Sequence, residues 1–196
     1  MLRFIHNHKL VTNYQIKKVF YRDNKGIKNC NRRLRMLYHE MYCIDRYFPP
    51  VDTGSSKQHL MLDKAGAKAI GISPFYKLNK PVLRHEHHRL VTEFNIRGWE
   101  KGLGWAKLEH KIADQVADLY YPRKKMAVEI DTGSESRKTL KGKIKGYNRT
   151  TDLNYLIFVT TGGQSRIDLW EDKIRSDIKF AGCQFKDVDE LLNIIK

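Results

Sequence analysis

Apolar positions recur at helical spacing through the first forty residues. Leu2, Ile5 and Leu10 mark one short segment, Ile16, Val19 and Phe20 a second, and Ile27, Cys30, Leu34 and Leu37 a third. That recurrence puts each set on one side of a helix and predicts helices over 1–10, 14–21 and from 27 onward. Thr12 or Asn13 can cap the second, and Asp23-Asn24-Lys25-Gly26 supplies turn chemistry before the third. Residues 41–48 and 58–62 read as two strands, joined by a loop at 49–57 holding two prolines, a glycine and two serines. Asp63 then caps a short helix containing Ala65, Ala67 and Ile70, and a first domain closes near Ser73.

Residues 71–81 are rich in turn formers, which places a linker at 74–82 and a second domain at 83–196. A helix from His85 to Arg97 turns Leu90, Phe94 and Ile96 to its core. Strands follow at 116–121 and 126–131, joined by the basic turn Pro122-Arg123-Lys124-Lys125. Ser134 caps a helix over 135–147 with Leu140, Ile144 and Tyr147 on one side. A strand at 153–160, a helix at 167–178, a strand at 180–185 and a helix at 188–195 complete a mixed α/β domain, so the fold class is α+β.

Charge changes what the first domain means. The chain carries +15 over 196 residues, with 16 Lys or Arg against five acids in residues 1–80 and 21 against 17 beyond. A field concentrated in one region attracts polyanions, double-stranded DNA above all, although a solubilising surface has the same balance. The basic residues form no long amphipathic stripe suited to a membrane surface. The first 20 residues have neither a signal-peptide run nor a spanning segment, so a cytoplasmic location is expected. Cys30, Cys43 and Cys183 are widely spaced without a CxxC pair, and read as reduced thiols.

On the third helix Lys28, Arg32, Arg35 and His39 fall within about 60° of one another at 100° per residue, beside Asn29 and Asn31. Arg forks onto a guanine edge and Asn onto an adenine edge, while Lys28 and Arg33 suit phosphates, as does Lys57 in the following loop. A solvated helix face has the same composition. The order of three helices and a hairpin, with the basic residues on the third helix, favours a winged helix-turn-helix; a protein-docking module of the same fold is the alternative.

In the second domain Glu129 and Asp131 stand two apart on one strand and so share a face, with Asp118 able to lie beside them across the hairpin. Three carboxylates gathered there offer hard oxygen ligands to Mg²⁺ or Mn²⁺, the cofactor expected if the site is catalytic and not otherwise. Lys143 lies next to the apolar face of its helix and can lean over them, its ammonium free to hold a scissile phosphate. Lys141, Lys143 and Lys145 as a plain surface coat is the bland alternative. His85, His87 and His88 share no helical face well and have no partners at zinc-ligand spacing, so they read as the start of a helix.

The order helix, Asp strand, Glu strand, Lys helix, strand and helix resembles the PD-(D/E)xK nuclease fold, which implies a restriction-endonuclease-like second domain. The string Glu129-Ile-Asp-Thr-Gly-Ser-Glu-Ser136, with Lys143 and Tyr147 after it, is similar to the signature of the replication-relaxation family; His59-Leu-Met-Leu-Asp-Lys-Ala-Gly-Ala67 approximates that family's Tyr-x-Leu-x-x-x-Gly-Ala. The resemblance implies a winged helix ahead of a nuclease-like domain and a role in plasmid or mobile-element replication or mobilisation. It further implies Asp118 and Glu129 as catalytic metal ligands, Lys143 as the phosphate-side cation and Glu93 as a helix-borne acid. Ala117 replaces the proline expected before Asp118, and Asp131 stands where the nuclease pattern has its lysine. The competing expectation is a transcriptional or copy-number regulator with no chemistry, whose degenerate second domain dimerises. A homodimer suits either account, because paired half-sites multiply the few base contacts of one winged helix.

Overall fold

The computed structural model describes residues 1–21, 24–48, 58–72 and 85–195. Compactness divides the chain into two units, Met1–Thr92 and Glu93–Lys196.

The first unit opens with α1 (Leu2–His8), β1 (Val11–Thr12) and α2 (Asn13–Phe20). Thr12 caps α2: its hydroxyl accepts from Gln15 N at 3.2 Å, and Gln15 Oε1 accepts from Thr12 N at 2.8 Å. This reciprocal box satisfies two of the amides that a helix start leaves over. A long helix, α3 (Asn24–His39), follows, then β2 (Ile44–Tyr47), β3 (His59–Leu62) and α4 (Lys64–Ala69), capped by Asp63. The three strands form an antiparallel sheet ordered β1-β3-β2. Ile5, Val11, Ile16, Cys30, Leu34, Leu37, Ile44 and Leu60 make one buried cluster between helices and sheet.

Several sequence expectations need correction here. The third helix starts at Asn24, so Asn24-Lys25-Gly26 lies within it and not in a turn; Asp23 is outside the described residues. Ile27 is exposed, because the buried Cys30, Leu34 and Leu37 centre about 50° away from it around the helix. Phe20, at the end of α2, is also exposed. The two-residue strand β1 was too short to show a period. The loop at 49–57 and the linker at 74–82 lie outside the described residues.

Gly66 gives the His59–Ala67 string a structural reason. A Cβ there would stand 2.0 Å from the Cys43 carbonyl oxygen, so α4 packs directly on the backbone preceding β2.

The second unit follows from within α5 (His85–Glu100), where Phe94 and Ile96 are buried, as is Leu90 in the first unit's share of that helix. Its sheet is ordered β4-β5-β6-β7-β8, from β4 (Lys107–Ile112), β5 (Gln115–Tyr121), β6 (Met126–Asp131), β7 (Tyr155–Thr160) and β8 (Lys179–Gln184). The first three strands run antiparallel and the last three parallel. Helix α6 (Arg137–Tyr147) connects β6 to β7, and α7 (Gln164–Glu171) connects β7 to β8; α8 (Val188–Ile195) ends the unit. Every residue of β6 is buried, as befits a strand with neighbours on both edges and packing on both faces. Leu140, Ile144 and Tyr147 of α6 join Leu156, Phe158 and Trp170 in the core.

Strand β4 had no counterpart in the sequence reading, α7 stops at Glu171 short of Ile178, and α6 starts later than expected. Ser136, not Ser134, caps α6, accepting from Thr139 N at 3.1 Å, while Ser134 is hydrogen-bonded to Thr132. Among the described residues no helix is long and apolar enough to cross a membrane.

Candidate functional sites: a basic helix and a neutralised acidic centre

Helix α3 contains no Asp or Glu, and its burial runs through Gly26, Cys30, Leu34 and Leu37. Lys28, Asn29, Asn31, Arg32, Arg35 and His39 are all exposed, so the predicted stripe stands in solvent. Arg33 is exposed too, but lies about 140° from Lys28 around the helix. It approaches Met36 Sδ and helps lower the pKa of the Met1 amino group, after burial. Lys57 lies outside the described residues.

The acidic centre is built at the carboxyl ends of the parallel strands. Asp118 on β5 and Glu129 on β6 are close enough for their charges to interact, and Lys143 on α6 pairs with Glu129 while acting on Asp118 through charge alone. The ladder between β5 and β6 has its last described pair at Leu119 and Val128; beyond it Asp118 Oδ2 takes the Ile130 amide at 2.8 Å. Lys143 Nζ donates to Glu129 Oε2 at 2.8 Å and to Glu135 Oε1 at 2.9 Å, and Tyr147 Oη donates to Glu129 Oε1 at 2.5 Å. Lys143 and Tyr147 are one helical turn apart, which aims both at the same strand.

Asp131 belongs to a separate set. Its Oδ1 accepts from Gly133 N at 3.0 Å, and its Oδ2 accepts from Thr160 Oγ1 at 3.2 Å and from Arg166 Nε. Glu93 pairs with Arg97 on its own helix at 3.1 Å and is not among the charges that shift Glu129. Arg166 and Thr160 were missed by the sequence reading, and Glu135 entered it only as part of the signature string. No local pattern announces Arg166, since it and Asp131 are 35 residues apart.

Burial, and then the Asp118 charge, raise the pKa of Glu129, against the opposing pull of Lys143. For Lys143 burial acts downward, yet Glu129 and Glu135 override it and hold the ammonium charged. The Lys143 ammonium lies between the Glu129 and Glu135 carboxylates, which keep it charged. Tyr147 is pushed up by burial and by Glu129, so it stays a hydroxyl donor.

The carboxylates of this centre are already engaged by the chain. Both oxygens of Glu129 and both of Asp131 already accept hydrogen bonds from the chain, and one of Asp118 does. Among the described residues no group of three or more His, Cys, Asp or Glu is arranged to hold a metal. The Lys143 ammonium, expected to be free for a phosphate, donates to Glu129 and Glu135.

The replication-relaxation family model matches residues 2–157, more than three-quarters of the chain. The chain belongs to the replication-relaxation family. The match takes in α3, the Gly66 string and the whole Asp118–Glu129–Lys143 group, and stops within β7, so that Arg166 and β8 lie beyond it. The family's description names replication. Neither the curated proteins nor the solved structures contain a match.

Proposed function

We propose that this replication-relaxation protein binds double-stranded DNA through α3 and acts in plasmid or mobile-element replication or mobilisation. In this reading residues 1–73 form a winged helix-turn-helix, 74–82 a linker, and 83–196 a PD-(D/E)xK nuclease-like scaffold, in a cytoplasmic protein that pairs as a homodimer on DNA. The exposed face of α3 carries the proposal: Lys28, Asn31, Arg32, Arg35 and His39 stand together with no acid on the helix to neutralise them. An exposed guanidinium without a carboxylate is available to a phosphate or a guanine edge. In an anisotropy titration with labelled duplex, Arg32→Ala with Arg35→Ala should lower the slope of log affinity against log salt by about two, one per lost phosphate contact. An unchanged slope and affinity would remove α3 from the interface.

The acidic centre suits a second reading, metal-dependent DNA cleavage, through the meeting of Asp118, Glu129 and Lys143. The donor occupancy instead favours a protein that binds without cutting, with the centre as an internal charge lattice. Supercoiled plasmid with Mg²⁺ or Mn²⁺ separates the two. Nicking by the parent and none by Glu129→Gln would establish hydrolysis, and would require Lys143 to release Glu129. Binding by both with cutting by neither supports the regulator or replication-accessory role.

A further inference from the structure

A cavity of about 170 Å³ opens in the first unit between α2, α3, β2 and β3. Asn13, Asn31, Arg35, Tyr38 and Arg46 form its polar wall over buried leucines, and among the described residues no carboxylate lines it. The Arg46 guanidinium lies 4.0 Å over the Tyr38 ring, which fixes a long side chain in place. Neither Arg35 nor Arg46 has an acidic partner among the described residues, and neighbouring Asp45 is turned to the Arg46 amide at 2.7 Å. Asn13, the first residue of α2, has its Oδ1 buried with no hydrogen-bond partner among the described residues. Nothing internal holds that amide in one orientation.

We infer that a backbone phosphate of bound DNA seats in this cavity, held by Arg46 from β2 and Asn13 from α2 together with Arg35. The inference rests on the reading of α3 as the DNA-binding helix, and adds contacts that the helix alone does not have. Two guanidiniums and an amide without an acid make an anion site, and bidentate Arg-phosphate pairing is the strong form of that contact. Arg35 belongs both to the exposed stripe and to the cavity wall, so a strand lying along α3 brings a phosphate to the opening. Arg46 carries no base-reading role here, because phosphate contacts fix position and not sequence.

The test uses the full chain, labelled duplexes of several sequences and a salt series. Arg46→Ala should lower the salt slope by about one and weaken all duplexes alike. Asn13→Asp places a carboxylate in the wall at a helix start, where the helix dipole favours it, so the melting temperature should hold while DNA affinity falls. A parent-like slope and affinity in both variants, with Arg32→Ala weakened, would overturn the cavity assignment and leave the α3 reading standing. If Arg32→Ala is also unchanged, the α3 reading falls, and the inference with it. Inorganic phosphate is the remaining arm: stabilisation of the parent lost in Asn13→Asp, alongside an unchanged DNA slope, would assign the cavity to a free anion and overturn the proposal.

Discussion

On α3 the cations Lys28, Arg32 and Arg35 stand in solvent on a helix without an acid, whereas the charges around Glu129 are buried and met by partners from the chain itself. The first arrangement costs little to the fold, because each ammonium or guanidinium keeps its hydration until a ligand displaces it. The second has already replaced water with internal donors: Lys143 and Tyr147 on Glu129, and Arg166, Thr160 and Gly133 N on Asp131. Residue types that look equally functional in a sequence therefore differ in what remains available. The α3 cations can take a new partner directly. A metal at Glu129 would share its oxygens with an ammonium and a phenol.

The comparison predicts opposite sensitivities. Glu129→Ala should give the largest loss, about 3–5 kcal/mol in chemical denaturation, because it leaves the half-buried Lys143 ammonium with only Glu135 and the buried Tyr147 hydroxyl with nothing. A loss below about 1 kcal/mol would show that the pair is solvated and the lattice loose.

The first unit has a buried ionisable group of its own, which sharpens the contrast. His8 is packed on Phe4 with Nδ1 at 2.9 Å from the Phe4 carbonyl oxygen, and burial pushes its pKa down from 6.5 to about 4 despite that hydrogen bond. The unfolded state then binds the proton first. Stability should be full above pH 6.5 and fall by about 3 kcal/mol as pH drops to 4. Denaturation midpoints for the parent and His8→Phe across that window read the effect as a difference between the two. Parallel curves would put His8 in contact with water.

The smallest change is expected where the sequence looks most charged. Arg32→Ala with Arg35→Ala should alter stability by no more than about 0.5 kcal/mol, while lowering DNA affinity as described above. A large loss of stability would mean that the stripe is part of the fold and not a free surface.

Much of this was legible from local pattern. The span of β6, the face of α6 that carries Leu140, Ile144 and Tyr147, and the start and end of α8 follow from hydrophobic period and turn residues. Those signals work because period and side-chain direction are linked within one element. The stripe on α3 and the approach of Lys143 to Glu129 were legible for the same reason. Ile27 failed where the helix phase is set by the rest of the core, and Ser134 failed because two serines two apart compete for one cap. Arg46 escaped notice since one arginine in a strand has no signature; its place over Tyr38 depends on β2 pairing beside α3.

The sequence alone determined the residue types, their helical or strand faces and a family signature, because each is carried within a short stretch of chain. Tertiary structure decided which charges remain open. Whether Asp131 is available to a ligand depends on Arg166, 35 residues away, and whether Lys143 is available depends on Glu135 and on the burial of Glu129. Desolvation and pairing are properties of the packed neighbourhood, and that neighbourhood exists only once the strands are side by side.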